Sequence, residues 1–138
     1  STDATNMEIP FGLTATEALD HVARAQYAFQ LLFMPTAWLK QNFASGQASA
    51  EAVVMCQYGG LFLVGLSLVN WVVSTKAPQV RKEVHTGQAI CWGLCLCHTA
   101  MNFDKFSKPD VFINLFCQSL ITGLFAMSAM SLDGKAKK

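Results

Sequence analysis

Along the chain, long uncharged runs alternate with short charged ones. No Asp, Glu, Lys or Arg occurs in 52–75, 84–103 or 111–132, windows of 24, 20 and 22 residues. At about 1.5 Å rise per residue each would reach about 30 Å or more as a helix, the thickness of a bilayer's hydrocarbon core. These windows predict helices at about 51–75, 83–103 and 110–132. A further helix is expected at about 15–40. Thr14 and Glu17 have the spacing of a capping box at its start, and Pro35 should kink it near its end. It opens on Glu17, Asp20, His21 and Arg24 and is then uncharged from Ala25 to Leu39. Such a segment either spans, with Arg24 reaching back to the headgroups, or lies in the interface, and spanning is preferred. Pro10 and Gly12 make 1–13 an extended arm, 41–50 is a loop of small residues, and 133–138 is a basic tail.

The expected architecture is an all-α integral membrane bundle of four transmembrane helices, a single membrane domain over 1–138. Six Lys/Arg lie in 76–82 and the tail, beside Arg24, against Lys40, Lys105 and Lys108 on the other side. That asymmetry places both termini on the cytoplasmic, stromal or matrix side. Ser1–Pro10 is polar and mildly acidic, so no removable signal peptide is expected, and the start without Met reads as a processed form.

Composition narrows the function. Charged residues make up 14% of the 138, little more than half of what soluble domains carry, and the net charge is +1 without a basic stripe. A soluble domain and a nucleic-acid binder are both excluded on these grounds. The five cysteines all fall inside uncharged windows, where they read as small packing residues. Nucleophile elbow, HExxH and phosphate loop are all missing, and no acid is expected to be buried within a span. An enzyme and a transporter are therefore disfavoured.

Polar positions inside the runs are the remaining signal. Gln88, Cys91, Cys95, His98 and Asn102 recur at intervals of 3, 4, 3 and 4, within roughly an 80° arc of one helix, and His85 lies about 60° to the side. Asn114, Gln118 and Thr122 make a second stripe, with Ser119 and Gly123 beside it. Ala89, Gly93 and Cys97, and Gly59, Gly60 and Gly65, are spaced for close helix approach. Packing inside a bundle is the plainer account of these stripes, and ligand binding the sharper one. A zinc site lacks a fourth ligand, since Cys97 points away from Cys95 and His98. A single haem could use only His21 and His85 and is disfavoured.

Leu32-Phe33-Met34-Pro35 and Tyr58-Gly59-Gly60-Leu61-Phe62 resemble the pattern of DoxX-like four-helix membrane proteins. The chain also resembles small accessory subunits of algal photosystem I and supernumerary subunits of mitochondrial complexes. The photosystem resemblance implies a thylakoid location, preferred over the mitochondrial inner membrane, with other membrane-protein subunits, lipids and pigments as partners. It also implies chlorophyll and carotenoid as cofactors. On that resemblance the pigment-binding candidates are His85, Gln88, His98, Asn102, Asn114 and Gln118. The alternatives are a supernumerary subunit of a mitochondrial respiratory or ATP synthase complex and a free-standing DoxX-like membrane protein associated with quinone or haem. Trp38, Trp71, Phe103 and Phe106 read first as interfacial belt residues.

Overall fold

The computed structural model describes residues 8–9 and 12–136, with side chains from Gly12 to Leu132 apart from position 78. It is almost wholly helical. Five α-helices follow a two-residue hairpin: α1 Ala15–Phe33, α2 Pro35–Asn42, α3 Ala50–Lys76, α4 Arg81–Met101 and α5 Lys108–Ala136. Short 3₁₀ turns, Pro78–Val80 and Phe103–Lys105, precede α4 and follow it.

Helix boundaries follow local chemistry. The Thr14 side chain accepts from the Glu17 amide, and the Glu17 carboxylate accepts from the Thr14 amide, so the expected capping box forms. Pro35 does more than kink the first helix. Met34 leaves the helical region (φ −131°, ψ 38°), and α2 restarts with Pro35 in its first turn, where a missing N–H costs nothing. The expected 15–40 helix is therefore two helices. The arm is not wholly irregular either: Glu8–Ile9 pairs antiparallel with Leu13–Thr14, the turn using Gly12 at φ +72°. The rest of 1–13 lies outside the described residues. α4 starts and ends two residues earlier than its expected span, at Arg81 and Met101. α5 extends beyond its span at both ends, and its last turn takes in 133–136 of the expected tail.

α1 packs mainly on α3, and α4 on α5, with α1 also touching α5. Gly60 lets α3 close on α1: a Cβ there would stand 2.7 Å from Leu32 Cγ and 3.2 Å from the Ala28 carbonyl oxygen. Gly93 meets the Thr122 methyl group at ordinary contact distance. Gly65 and Gly123 face open space, so the small-residue spacing overstates their role.

Burial is inverted relative to a water-soluble bundle. Among the described residues eleven polar or charged residues are buried against eight apolar ones, Pro35 and Gly60 included, and large apolar side chains such as Met55, Phe62, Leu68, Phe116 and Met130 stand exposed. Two helices, α3 and α5, are long and apolar enough to cross a membrane. Only 6% of the apolar stretch of α3 is buried, and 22% of that of α5, whereas the central helix of a soluble domain would be mostly buried. α4, expected as a span on the length of its uncharged run, falls short of that apolar standard through its polar face, and α1 through its charges.

Candidate functional site

Polar side chains meet in two layers. The outer layer joins four helices. Glu17 Oε1 accepts from Ser74 Oγ of α3 at 2.8 Å, and from Arg81 Nε and His85 Nε2 of α4 at 3.0 Å each. His85 Nδ1 pairs with the Ser128 hydroxyl of α5 at 2.7 Å, and Phe125 stacks edge-on against the imidazole. Arg81 also donates to the Gly12 and Ser74 carbonyls, tying the hairpin and the end of α3 to the same carboxylate. His85 is completely buried and both its ring nitrogens are engaged. Axial ligation of a pigment or a haem needs a free lone pair, which this ring does not offer.

The second layer lies about two turns further along α4. Asp20 and Arg24 form a buried ion pair at 2.8 Å, the Trp92 indole donates to Asp20, and Arg24 donates to Gln88. Gln88 thus contributes its carbonyl to α1 rather than to a ligand. Across the two layers two acids, Glu17 and Asp20, are buried on α1, which is not one of the two helices apolar enough to span. Glu17, Asp20, Arg24 and Tyr27 recur at 3, 4 and 3, which places them on one face of α1, and from that face Glu17, Asp20 and Arg24 reach side chains of α4 while Tyr27 reaches α5. That spacing was a readable signal. It was masked because charges in a helix's first turns ordinarily face water.

Past these layers the bundle opens into a cavity of about 460 Å³ between α3 and α4. Its walls are Leu63 and Leu66 of α3 and Cys91, Leu94, Cys95 and His98 of α4, and α1 and α5 supply Tyr27, Asn114 and Gln118. Trp38, Trp92 and Phe106 give it aromatic surface. The Tyr27 hydroxyl donates to Asn114 Oδ1. Gln118 Oε1 is buried without a partner, while its backbone carbonyl takes the Thr122 hydroxyl. His98 is exposed to the cavity, and its ring makes no hydrogen bond.

Of the sequence candidates, His98, Asn114 and Gln118 are brought together at the cavity. His85 and Gln88 serve the two polar layers. Asn102 lies past the end of α4, bonding the His98 carbonyl and the Lys105 ammonium. Trp38 and Phe106, expected as belt residues, line the cavity instead, while Trp71 stays exposed on α3.

The loop end is fastened across the bundle. Ala44 N–H donates to the Lys105 carbonyl and Ser107 N–H to the Asn42 carbonyl, both at 2.9 Å. Phe43 stacks on Phe106 with ring centroids 5.1 Å apart.

Compared with family models, curated proteins and solved structures, the chain matches none.

Proposed function

We propose that the chain is a non-catalytic accessory subunit of a large energy-transducing membrane assembly, a photosystem for preference, which crosses the bilayer with four helices and holds a ring-bearing lipophilic ligand in the cavity between α3 and α4. The observation that carries this reading is the inverted burial. A bundle that hides ion pairs and exposes Met55, Phe62 and Phe116 suits hydrocarbon or protein neighbours rather than water. In this reading α4 accompanies α3 and α5 across the membrane because its polar face is turned onto α1, α5 and the cavity. The buried pairs of α1 are enclosed in the same way, since polar groups left open to hydrocarbon are costly.

Chlorophyll fits the cavity's chemistry. Four aromatic side chains, Tyr27, Trp38, Trp92 and Phe106, border it, and His98 offers a ring nitrogen free of internal hydrogen bonds. The photosystem is preferred on that fit, with a thylakoid location and carotenoid as a companion pigment. His98 would hold the magnesium, and the pigment would supply light absorption and energy transfer. Asn114 Oδ1 is taken by Tyr27 and Gln118 Oε1 is turned into the protein, so neither oxygen competes for that role.

The test is gentle solubilisation of native membranes, followed by separation of intact complexes. The expected outcome is co-migration with a large, pigmented assembly, and loss of pigment from His98→Leu while the helices stay inserted. Migration as a small colourless monomer would overturn the subunit reading. Unchanged pigment content in His98→Leu would remove the ligation role.

A further inference from the structure

Within the cavity, the amides of Asn114 and Gln118 have defined orientations. Asn114 Oδ1 accepts from Tyr27, which leaves its NH₂ group as the free end. Gln118 Oε1 is buried and unpartnered, whereas its Nε2 is neither bonded nor sealed from the cavity the residue lines. The two residues are one helical turn apart on α5, so their side chains lie about 5–6 Å from one another. Both therefore present N–H donors along one wall. Charge narrows the partner. Arg24, the one full charge among the described residues lining this cavity, is already neutralised by Asp20 at 2.8 Å, so the lining is electrically balanced and gives an anionic head no advantage. What remains is a donor pair, the unbonded His98 ring, aromatic side chains and the apolar Leu63, Leu66 and Leu94.

We infer that this wall recognises the carbonyl group of a neutral, conjugated ring carried on a hydrocarbon tail, with Asn114 Nδ2 and Gln118 Nε2 as the hydrogen-bond donors. The inference deepens the ligand-holding reading and rests on it. It turns these two residues from metal ligands into hydrogen-bond donors to a carbonyl oxygen. Two sources share this chemistry, the ring carbonyls of a chlorophyll and those of a prenylated quinone. A carboxylate amphiphile such as a fatty acid is disfavoured by the neutralised Arg24.

The test uses the full chain purified in detergent. Quenching of Trp38 and Trp92 emission follows titration with a decyl-tailed benzoquinone and, separately, with chlorophyll a. Decylbenzene, which has the tail and no carbonyl, is the competitor. Saturable binding of at least one carbonyl probe is expected. Asn114→Leu and Gln118→Leu should each weaken it by about five- to tenfold, the worth of one hydrogen bond made in a dry site. Decylbenzene should compete equally in all three proteins, which also shows that the cavity is intact. Should Leu disturb the α4–α5 contact, Gln118→Met, close in volume and equally without donors, is measured in its place. Saturation by the quinone alone assigns the quinone source. Saturation by chlorophyll alone, lost in His98→Leu, assigns the pigment. Equal affinities in the wild type and both variants would overturn the carbonyl pairing while leaving the co-migration test of the subunit reading untouched. Failure of both probes to saturate would overturn it as well.

Discussion

The head of the bundle and the outer face of α3 solve opposite problems with the same backbone. At the head, Glu17, Asp20, Arg24, Arg81 and His85 are buried and satisfied by one another. Along α3, Met55, Tyr58, Phe62 and Leu68 stand exposed on a helix that buries little besides Gly60 and Ser74. The difference shows where specificity lies. A lipid-like surface tolerates any apolar residue of sufficient size, so the outer face says little about which helix sits beside which. The Glu17 carboxylate, by contrast, has partners on α3 and α4 and, through His85, on α5. Moving any of these helices away from Glu17 leaves a buried polar group without its partner.

The comparison can be broken most severely at Glu17. Glu17→Leu removes the shared acceptor and leaves the Arg81 guanidinium and the His85 ring nitrogen buried without it. The expected loss is about 3–5 kcal/mol, read as a large drop in the unfolding midpoint of the detergent-solubilised protein. A change of under about 1 kcal/mol would show that water reaches this layer. The opposite region is challenged by Phe62→Lys, which puts a charge at the middle of α3. Insertion of that helix should become less favourable by about 3 kcal/mol, measured by the membrane-inserted fraction in a glycosylation-site assay. Unaltered insertion would mean that this face meets water or a polar partner.

Smaller effects sharpen the boundary between the two regions. Gly60→Leu forces the α1–α3 contact apart, because even a Cβ meets Leu32 at 2.7 Å. A cost of about 1–3 kcal/mol is expected. Gly65→Ala, one and a half turns further along the same helix, meets nothing within 4 Å. It should gain up to about 1 kcal/mol from helix propensity alone. If the two glycines respond alike in a thermal melt, the packing of α3 on α1 is wrong.

Much of the fold was legible because its signals are local. The capping box at Thr14 and Glu17 acts within a few residues and forms as expected, Pro35 interrupts the helix where a kink was expected, and each of the three uncharged windows forms a helix. The polar face of α4 was legible too, but its division of labour was not. Gln88 and His98 lie on the same stripe, yet one is spent on Arg24 and the other opens to the cavity. That outcome depends on which turn of α1 lies opposite, a non-local fact. The burial of Glu17 and Asp20 was missed for a related reason. Arg81 reads as one basic residue among several in a turn, and nothing in its neighbourhood indicates that it pairs with a residue 64 positions earlier. Gly65 and Gly123 show the converse: small-residue spacing permits close approach without causing it.

The fastening of the two loops has a consequence for traffic. Backbone bonds from Ala44 to Lys105 and from Ser107 to Asn42, with the Phe43–Phe106 stack, close the loop end beside Trp38. On the membrane-subunit reading proposed above, a cavity ligand would then have its door sideways, between α3 and α4, into the hydrocarbon around the bundle. Its dwell time would follow from partition between protein and bilayer, with solubility in water playing no part. A neighbouring subunit laid across that gap would convert an exchangeable guest into a permanent fixture without altering a single contact inside.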